Sequence, residues 1–220
     1  MITVVLPAYN EEDKIGRVVR GLFEQGFNNV VVVDDGSTDQ TGAVAESAGA
    51  VVLKHEINRG QGATLQTGNV YAVRSGAETV VHFDADDQFN PADIHGAVKI
   101  LQERNLDIIF GSRFLDGRSR VPWFKKYFVL PVAKLINNGL TGLKLTDAHN
   151  GFRVLNRRAL EAIQISQDGM AHNTEIVWQV NKAGLKWAEC PVEVRYAEYG
   201  QGISGGITVI KDWLFSNFTK

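Results

Sequence analysis

The chain reads as an α/β protein with a mostly parallel central sheet flanked by helices. Short apolar, β-branched runs recur through the first half, and longer stretches of helical period separate them. Polar residues suited to chemistry cluster just after those runs. In parallel sheets that is where ligands collect, beyond the carboxyl ends of the strands.

Ile2-Thr3-Val4-Val5-Leu6 forms the first strand, and residues 11–25 follow as a helix with Ile15, Val18, Val19, Leu22 and Phe23 on one face. Residues 29–33 are a second strand, 40–48 a helix, 50–54 a third strand and 62–75 a helix. Thr79-Val80-Val81-His82-Phe83 is a fourth, buried strand; residues 91–104 are a helix with Pro91 at its start, and 106–110 a fifth strand. Beyond Gly111 the character changes. Residues 153–155 and 186–195 read as strands, 174–182 as a helix, and 207–218 as an amphipathic tail carrying Trp213, Phe215 and Phe218. No repeat, low-complexity tract or Pro/Ser linker interrupts the 220 residues, which favours one domain.

A formal charge of -2 gives no global basic field, so nucleic-acid binding is not indicated. The single cysteine, Cys190, excludes an intramolecular disulfide and fits a reducing compartment; in an apolar strand it is a buried, inert thiol rather than a nucleophile. The N-terminus enters a strand directly, so no signal peptide is expected. No apolar run reaches the ~18–20 residues of a spanning helix, so any work at a membrane is expected from its surface.

Asp84-Ala85-Asp86-Asp87-Gln88 carries the sharpest chemistry. Two carboxylates one residue apart at a strand end project to one side, and like charges so placed are unfavourable without a positive group. A hard divalent cation carrying a diphosphate meets that need, since magnesium and manganese take one or two carboxylates plus phosphate oxygens. A solvated turn is the alternative for so short a run. In Asp34-Asp35-Gly36-Ser37-Thr38-Asp39, carboxylates accept from a base edge or ribose, or cap the next helix; Asp35 is assigned to ligand and Asp39 to capping. Pro7-Ala8-Tyr9-Asn10-Glu11-Glu12 offers a ring to stack and an acceptor for a nucleobase, or else a helix start with Asn10 as cap. Asn58-Arg59-Gly60-Gln61-Gly62 is a glycine-rich turn opening a helix, without the third glycine of a dinucleotide fingerprint or the Gly-Lys-Ser/Thr of a P-loop.

In this order, and continued by Gly111-Ser112-Arg113-Phe114, Asp147-Ala148-His149-Asn150-Gly151-Phe152-Arg153 and Tyr199-Gly200-Gln201-Gly202-Ile203-Ser204, these runs resemble the family 2 glycosyltransferases with the GT-A nucleotide-sugar fold. The order is most similar to the dolichyl-phosphate mannose synthase and polyprenyl-phosphate glycosyltransferase branch. The resemblance implies nucleotide-sugar contacts from Pro7, Ala8, Tyr9, Glu11, Asp35, Asp84 and Ala85, with Asp86 and Gln88 as ligands of Mg2+ or Mn2+ and the diphosphate. It implies a catalytic set of Asp86, Asp147, Arg113 and Arg153, the arginines facing anionic groups of donor or acceptor. Asp147 is either a base or a structural partner of Arg153. Gln61, Asp87 and Asn150 depart from the family's commoner residues.

The reaction implied by the resemblance is inverting transfer from a GDP- or UDP-linked sugar to a polyprenyl phosphate, with residues 1–110 as the nucleotide-binding half and 111–220 as the acceptor-side half. A phosphate monoester, with a second pKa of about 6, is mostly a dianion at pH 7 and needs positioning more than deprotonation. Residues 118–137 interleave Arg118, Arg120, Lys125, Lys126 and Lys134 with Trp123, Phe124, Tyr127 and Phe128. That composition suits an anionic membrane surface, or a core-facing helix with solvated lysines. The expected location is cytoplasmic and peripheral to the membrane, with a homo-oligomer or a membrane-anchoring subunit as further partners. The competing activities are transfer to a saccharide hydroxyl and synthesis of the nucleotide sugar itself.

Overall fold

The computed structural model describes residues 1–119, 139, 141–148 and 150–195. Expectations for residues 120–137, 199–204 and 207–218, and for His149, lie outside them.

The described strands are β1 Ile2–Ala8, β2 Val30–Asp34, β3 Val51–Lys54, β4 Thr79–His82, β5 Ile108–Ser112, β6 Arg153–Asn156 and β7 Trp187–Pro191. The helices are α1 Glu12–Glu24, α2 Thr41–Ser47, α3 Gln61–Arg74, α4 Asp93–Glu103, α5 Arg157–Ala162 and α6 His172–Lys182. The strands form one sheet in the order β3-β2-β1-β4-β6-β5-β7. All pairings are parallel except those of β6, which runs antiparallel to both β4 and β5. Strands from both halves of the chain thus share one sheet.

Alternation along the strands divides the core into two layers. Val4, Leu6, Val81 and Val154 point to the face covered by α1, α2 and α4. Val5, Val80 and Leu155 point to the face covered by α3, α5 and α6. In α1 the buried set is Ile15, Val18, Val19 and Leu22, and in α4 Ile94, Ala97, Val98 and Leu101, both one helical stripe. Helix α3 buries small residues instead, and a Cβ at Gly68 would run into Val5 Cγ1, so α3 lies close on β1.

Several boundaries differ from expectation, among them β1, which runs on to Ala8, and β5, which is shifted to Ile108–Ser112. The strand expected over 186–195 ends at Pro191, which has no N–H; beyond it, Val194 makes only an isolated bridge to Phe89. Helix α4 starts at Asp93 rather than Pro91, and α6 starts at His172, two residues before the expected Thr174. The six-residue α5 is too short to show a period; Asn156 caps it by accepting from Ala159 N at 2.9 Å.

Candidate functional site

The carboxyl ends of β1, β2, β4 and β5 meet one edge of the sheet. Because β6 is reversed, its amino end reaches the same edge, which brings Asn150, Gly151 and Arg153 beside residues 84–88.

On the β1–β2 side, two loops close on one another through side chain–backbone bonds. Asn10 Oδ1 accepts from Thr38 N, Ser37 Oγ accepts from Asn10 N, Thr41 Oγ1 accepts from Glu11 N, and Glu12 Oε2 accepts from Gln40 N. Asn10 therefore bridges the loops, at a positive φ of 53°, and does not cap α1. Asp39 accepts from Thr41 N and Glu12 N, the first residues of α2 and α1, which matches its assignment to capping. Tyr9 holds its ring at the rim, 46% exposed, and Glu11 pairs with Lys14 at 2.8 Å. Pro7 and Ala8 are ladder residues opposite Val33 and Asp34.

Asp35 is buried and already engaged. Its carboxylate accepts from Arg59 N at 3.0 Å and Gly60 N at 2.6 Å, and lies 2.7 Å from His55 Nδ1. It therefore holds the glycine-rich turn in place. The Gly62 amide in that turn is closed to an external anion, because it donates to Asp168 O at 2.7 Å.

The acidic pair leaves the ladder rather than ending it. The strand stops at His82, and Asp84 and Asp86 lie in a bend that includes Asp87 at φ 63°. Both are partly buried. Burial, then the Asp86 charge, push the Asp84 carboxyl up to about 7, although Arg153 and a hydrogen bond from Gln61 Nε2 at 3.0 Å oppose the shift. Burial also raises Asp86, helped by Glu11. Gln88 N donates to Asp86 Oδ1 at 3.1 Å, while Ala85 turns its methyl into the core. Among the described residues no cluster of three or more acidic, histidine or cysteine side chains surrounds a metal position. Two carboxylates that resist ionising together fit a divalent cation whose remaining ligands are diphosphate oxygens and water.

Opposite stands Arg113. Its Nε and Nη2 donate to Asp147 Oδ2 and Oδ1 at 2.7 and 2.6 Å, a bidentate pair. The Asp147 side chain is 1% exposed and also accepts from Arg113 N and Asn150 Nδ2. Asp147 thus holds Arg113, not Arg153. Glu189 Oε1 in β7 accepts from Thr146 N, Thr146 Oγ1 and Asp147 N, and so fixes the turn that carries Asp147.

Arg153 departs furthest from expectation. It is 0% exposed, its Nη2 donates to Asn173 Oδ1 and its Nη1 to Gly151 O, so it sits behind the acidic pair instead of facing a ligand. Burial lowers its pKa to about 10, against the pull of Asp84 and Asp147. His55, Glu189, His172 and Asn173 were not anticipated. For the last two a signal existed: Asn173 stands three and four residues before the apolar Ile176 and Val177, on one helix face.

Known proteins are similar to this chain in sequence and in fold. The sequence profile described as Glycosyl transferase family 2 matches residues 3–164. An uncharacterized protein of Methanocaldococcus jannaschii is 35% identical over 95% of this chain and 86% of its own. A UDP-N-acetylglucosamine–dolichyl-phosphate N-acetylglucosaminyltransferase of Methanococcus voltae is 28% identical over 90% of this chain and 87% of its own. Among solved structures, glucosyl-3-phosphoglycerate synthase from Mycobacterium tuberculosis in complex with Mn2+, UDP and glucosyl-3-phosphoglycerate shares the fold, with a TM-score of 0.72 at 20% identity over 97% of this chain and 78% of that one.

Proposed function

The chain belongs to glycosyl transferase family 2, and on that premise we propose that it moves a sugar from a UDP-linked donor to a polyprenyl phosphate with inversion at the anomeric carbon. The donor reading is supported by the UDP-sugar in the archaeal relative's name and by the UDP bound with Mn2+ in the mycobacterial neighbour. In it Tyr9 stacks the base, and Asp35 contributes by holding the turn at residues 58–60. Asp84, Asp86 and Gln88 hold the diphosphate end with Mg2+ or Mn2+. When bound, the cation compensates charge growing on the departing diphosphate.

The observation that carries the acceptor reading is the state of Asp147. The one residue expected to serve as a base is covered, and its oxygens are taken by Arg113 and Asn150. A hydroxyl acceptor needs a positioned base, whereas a phosphate monoester is already an anion at pH 7. Arg113, oriented by Asp147, supplies positive charge at the side from which an anionic acceptor approaches. We place the work at the membrane surface, where a polyprenyl phosphate presents its headgroup, with residues 1–110 holding the donor and 111–220 facing the acceptor.

The test offers radiolabelled UDP-sugars and Mn2+ with polyprenyl phosphate in liposomes. Label is expected in the lipid phase with release of UDP, and none with the unphosphorylated polyprenol. Label on a soluble saccharide instead, or release of pyrophosphate, sinks the acceptor reading. Asp86→Ala is expected to lower turnover by 10²-fold or more, given about 2.7–4 kcal/mol for a lost electrostatic contact in a transition state. The same variant should lose the Mn2+-dependent rise in Tm that UDP gives the parent.

A further inference from the structure

Three side-chain nitrogens behind the acidic pair have no hydrogen-bond partner: His82 Nδ1, Arg153 Nε and His172 Nε2. Their residues are 1%, 0% and 0% exposed, so bulk solvent reaches none of them. Unpaired polar atoms are rare in protein interiors, and several at one place call for an occupant.

The three converge. His82 and Arg153 face each other across the antiparallel β4–β6 ladder, which puts their side chains on one face. Arg153 Nη2 donates to Asn173, the residue after His172 at the start of α6. The Arg153 charge acts on both rings, and His172 acts on His82.

Their donor and acceptor roles are set from the far side of each group. His172 Nδ1 lies 2.8 Å from Gly169 O; a carbonyl only accepts, so Nδ1 carries the proton and Nε2 is an acceptor. His82 Nε2 lies 2.9 Å from Asn69 Oδ1, so the proton sits there and Nδ1 is a second acceptor. Arg153 Nε is a donor only. An anion would meet two acceptor lone pairs, and a cation would meet the guanidinium. The small group that accepts one hydrogen bond and donates two is water, and three bonds are usual for a buried water.

We propose that one ordered water sits between His82 Nδ1, His172 Nε2 and Arg153 Nε, and that it pins the Arg153 guanidinium as a fixed countercharge behind Asp84. The pin has a wide reach. It joins β4, β6 and α6 directly, and α3 through the Asn69–His82 bond. Through Gly169 it also touches the loop whose Asp168 O accepts from Gly62 N. Arg153 held in this way does not swing into the cleft.

A crystal structure of the full chain at about 1.8 Å or better decides it. The expected result is a density peak about 2.7–3.2 Å from all three nitrogens, with Arg153 unmoved after a soak with UDP and Mn2+. An empty gap, a direct bond between two of the three nitrogens, or Arg153 turned into the cleft overturns the proposal. In solution, long-range 15N–1H spectra at pH 7 are expected to show His172 as the neutral Nδ1–H tautomer; an imidazolium there leaves no acceptor and also overturns it. His172→Phe keeps a ring and removes the acceptor, and its crystal is expected to lack the peak. Should that variant not fold, the tautomer of the parent protein still gives the answer.

Discussion

Arg113 illustrates how a charged side chain is aimed by a relay of buried partners. Its partner Asp147 is fixed by Glu189, whose single oxygen takes three donors from residues 146 and 147. Replacing Glu189 with alanine leaves two backbone amides without an acceptor and is expected to cost about 1.5–3 kcal/mol in urea denaturation. Activity should fall with it, whereas Glu189→Gln, which keeps an acceptor, should recover part of both. His172 gives a pH signature. Burial, then the Arg153 charge, hold its pKa at about 4 against 6.5 for the free side chain. Its contribution to stability is therefore fully present above pH 6.5 and lost as pH falls toward 4, to an extent of about 3 kcal/mol. Asp84, held up near 7, acts in the opposite sense over the same range, so the His172 share is read as a difference: from pH 7 to 4 the urea midpoint of the parent should fall relative to that of His172→Asn. Residue types at the site were legible in the sequence, but partners were not. Asp147 and Arg153 share one run, yet Arg153 is a ladder residue opposite His82 while Asp147 stands in the turn beside Arg113. Only register separates them.

Elements with a strong period were readable, as the buried stripes of α1 and α4 show. Elements decided by tertiary context were not. Helix α5 has six residues, and β7 stops where Pro191 withdraws its donor. Helix α3 shows why its glycines matter. A Cβ on Gly62 would run into Gln167 O and stand 2.9 Å from His172 Cβ, so the start of α3 fits only without a side chain there. Gly62→Ala, which an isolated helix would favour, is expected instead to destabilise by about 1–3 kcal/mol through overpacking. Thermal melts of parent and variant check the sign.

Across the molecule, β6 is the member on which both halves depend. It stands between β4 and β5, with Val154 in one layer and Leu155 in the other. Leu155→Ala should cost about 2–5 kcal/mol and, because Arg153 starts the same strand, should weaken donor binding alongside stability. Calorimetry with and without UDP and Mn2+ measures both. The alternating plan of the first half was legible because each strand and helix there is continuous in sequence. The strand at 153–155 was legible too, but its reversed direction was not, since antiparallel insertion between two parallel neighbours leaves no mark on a four-residue run.

The chain departs from the rim at Ser112 and returns to it at Arg153, and the two flanks are bolted together by Ser112–Thr146 and Arg113–Asp147 contacts. A strand end and a turn 34 residues apart in sequence are thereby clamped to one another without any ladder bond between them.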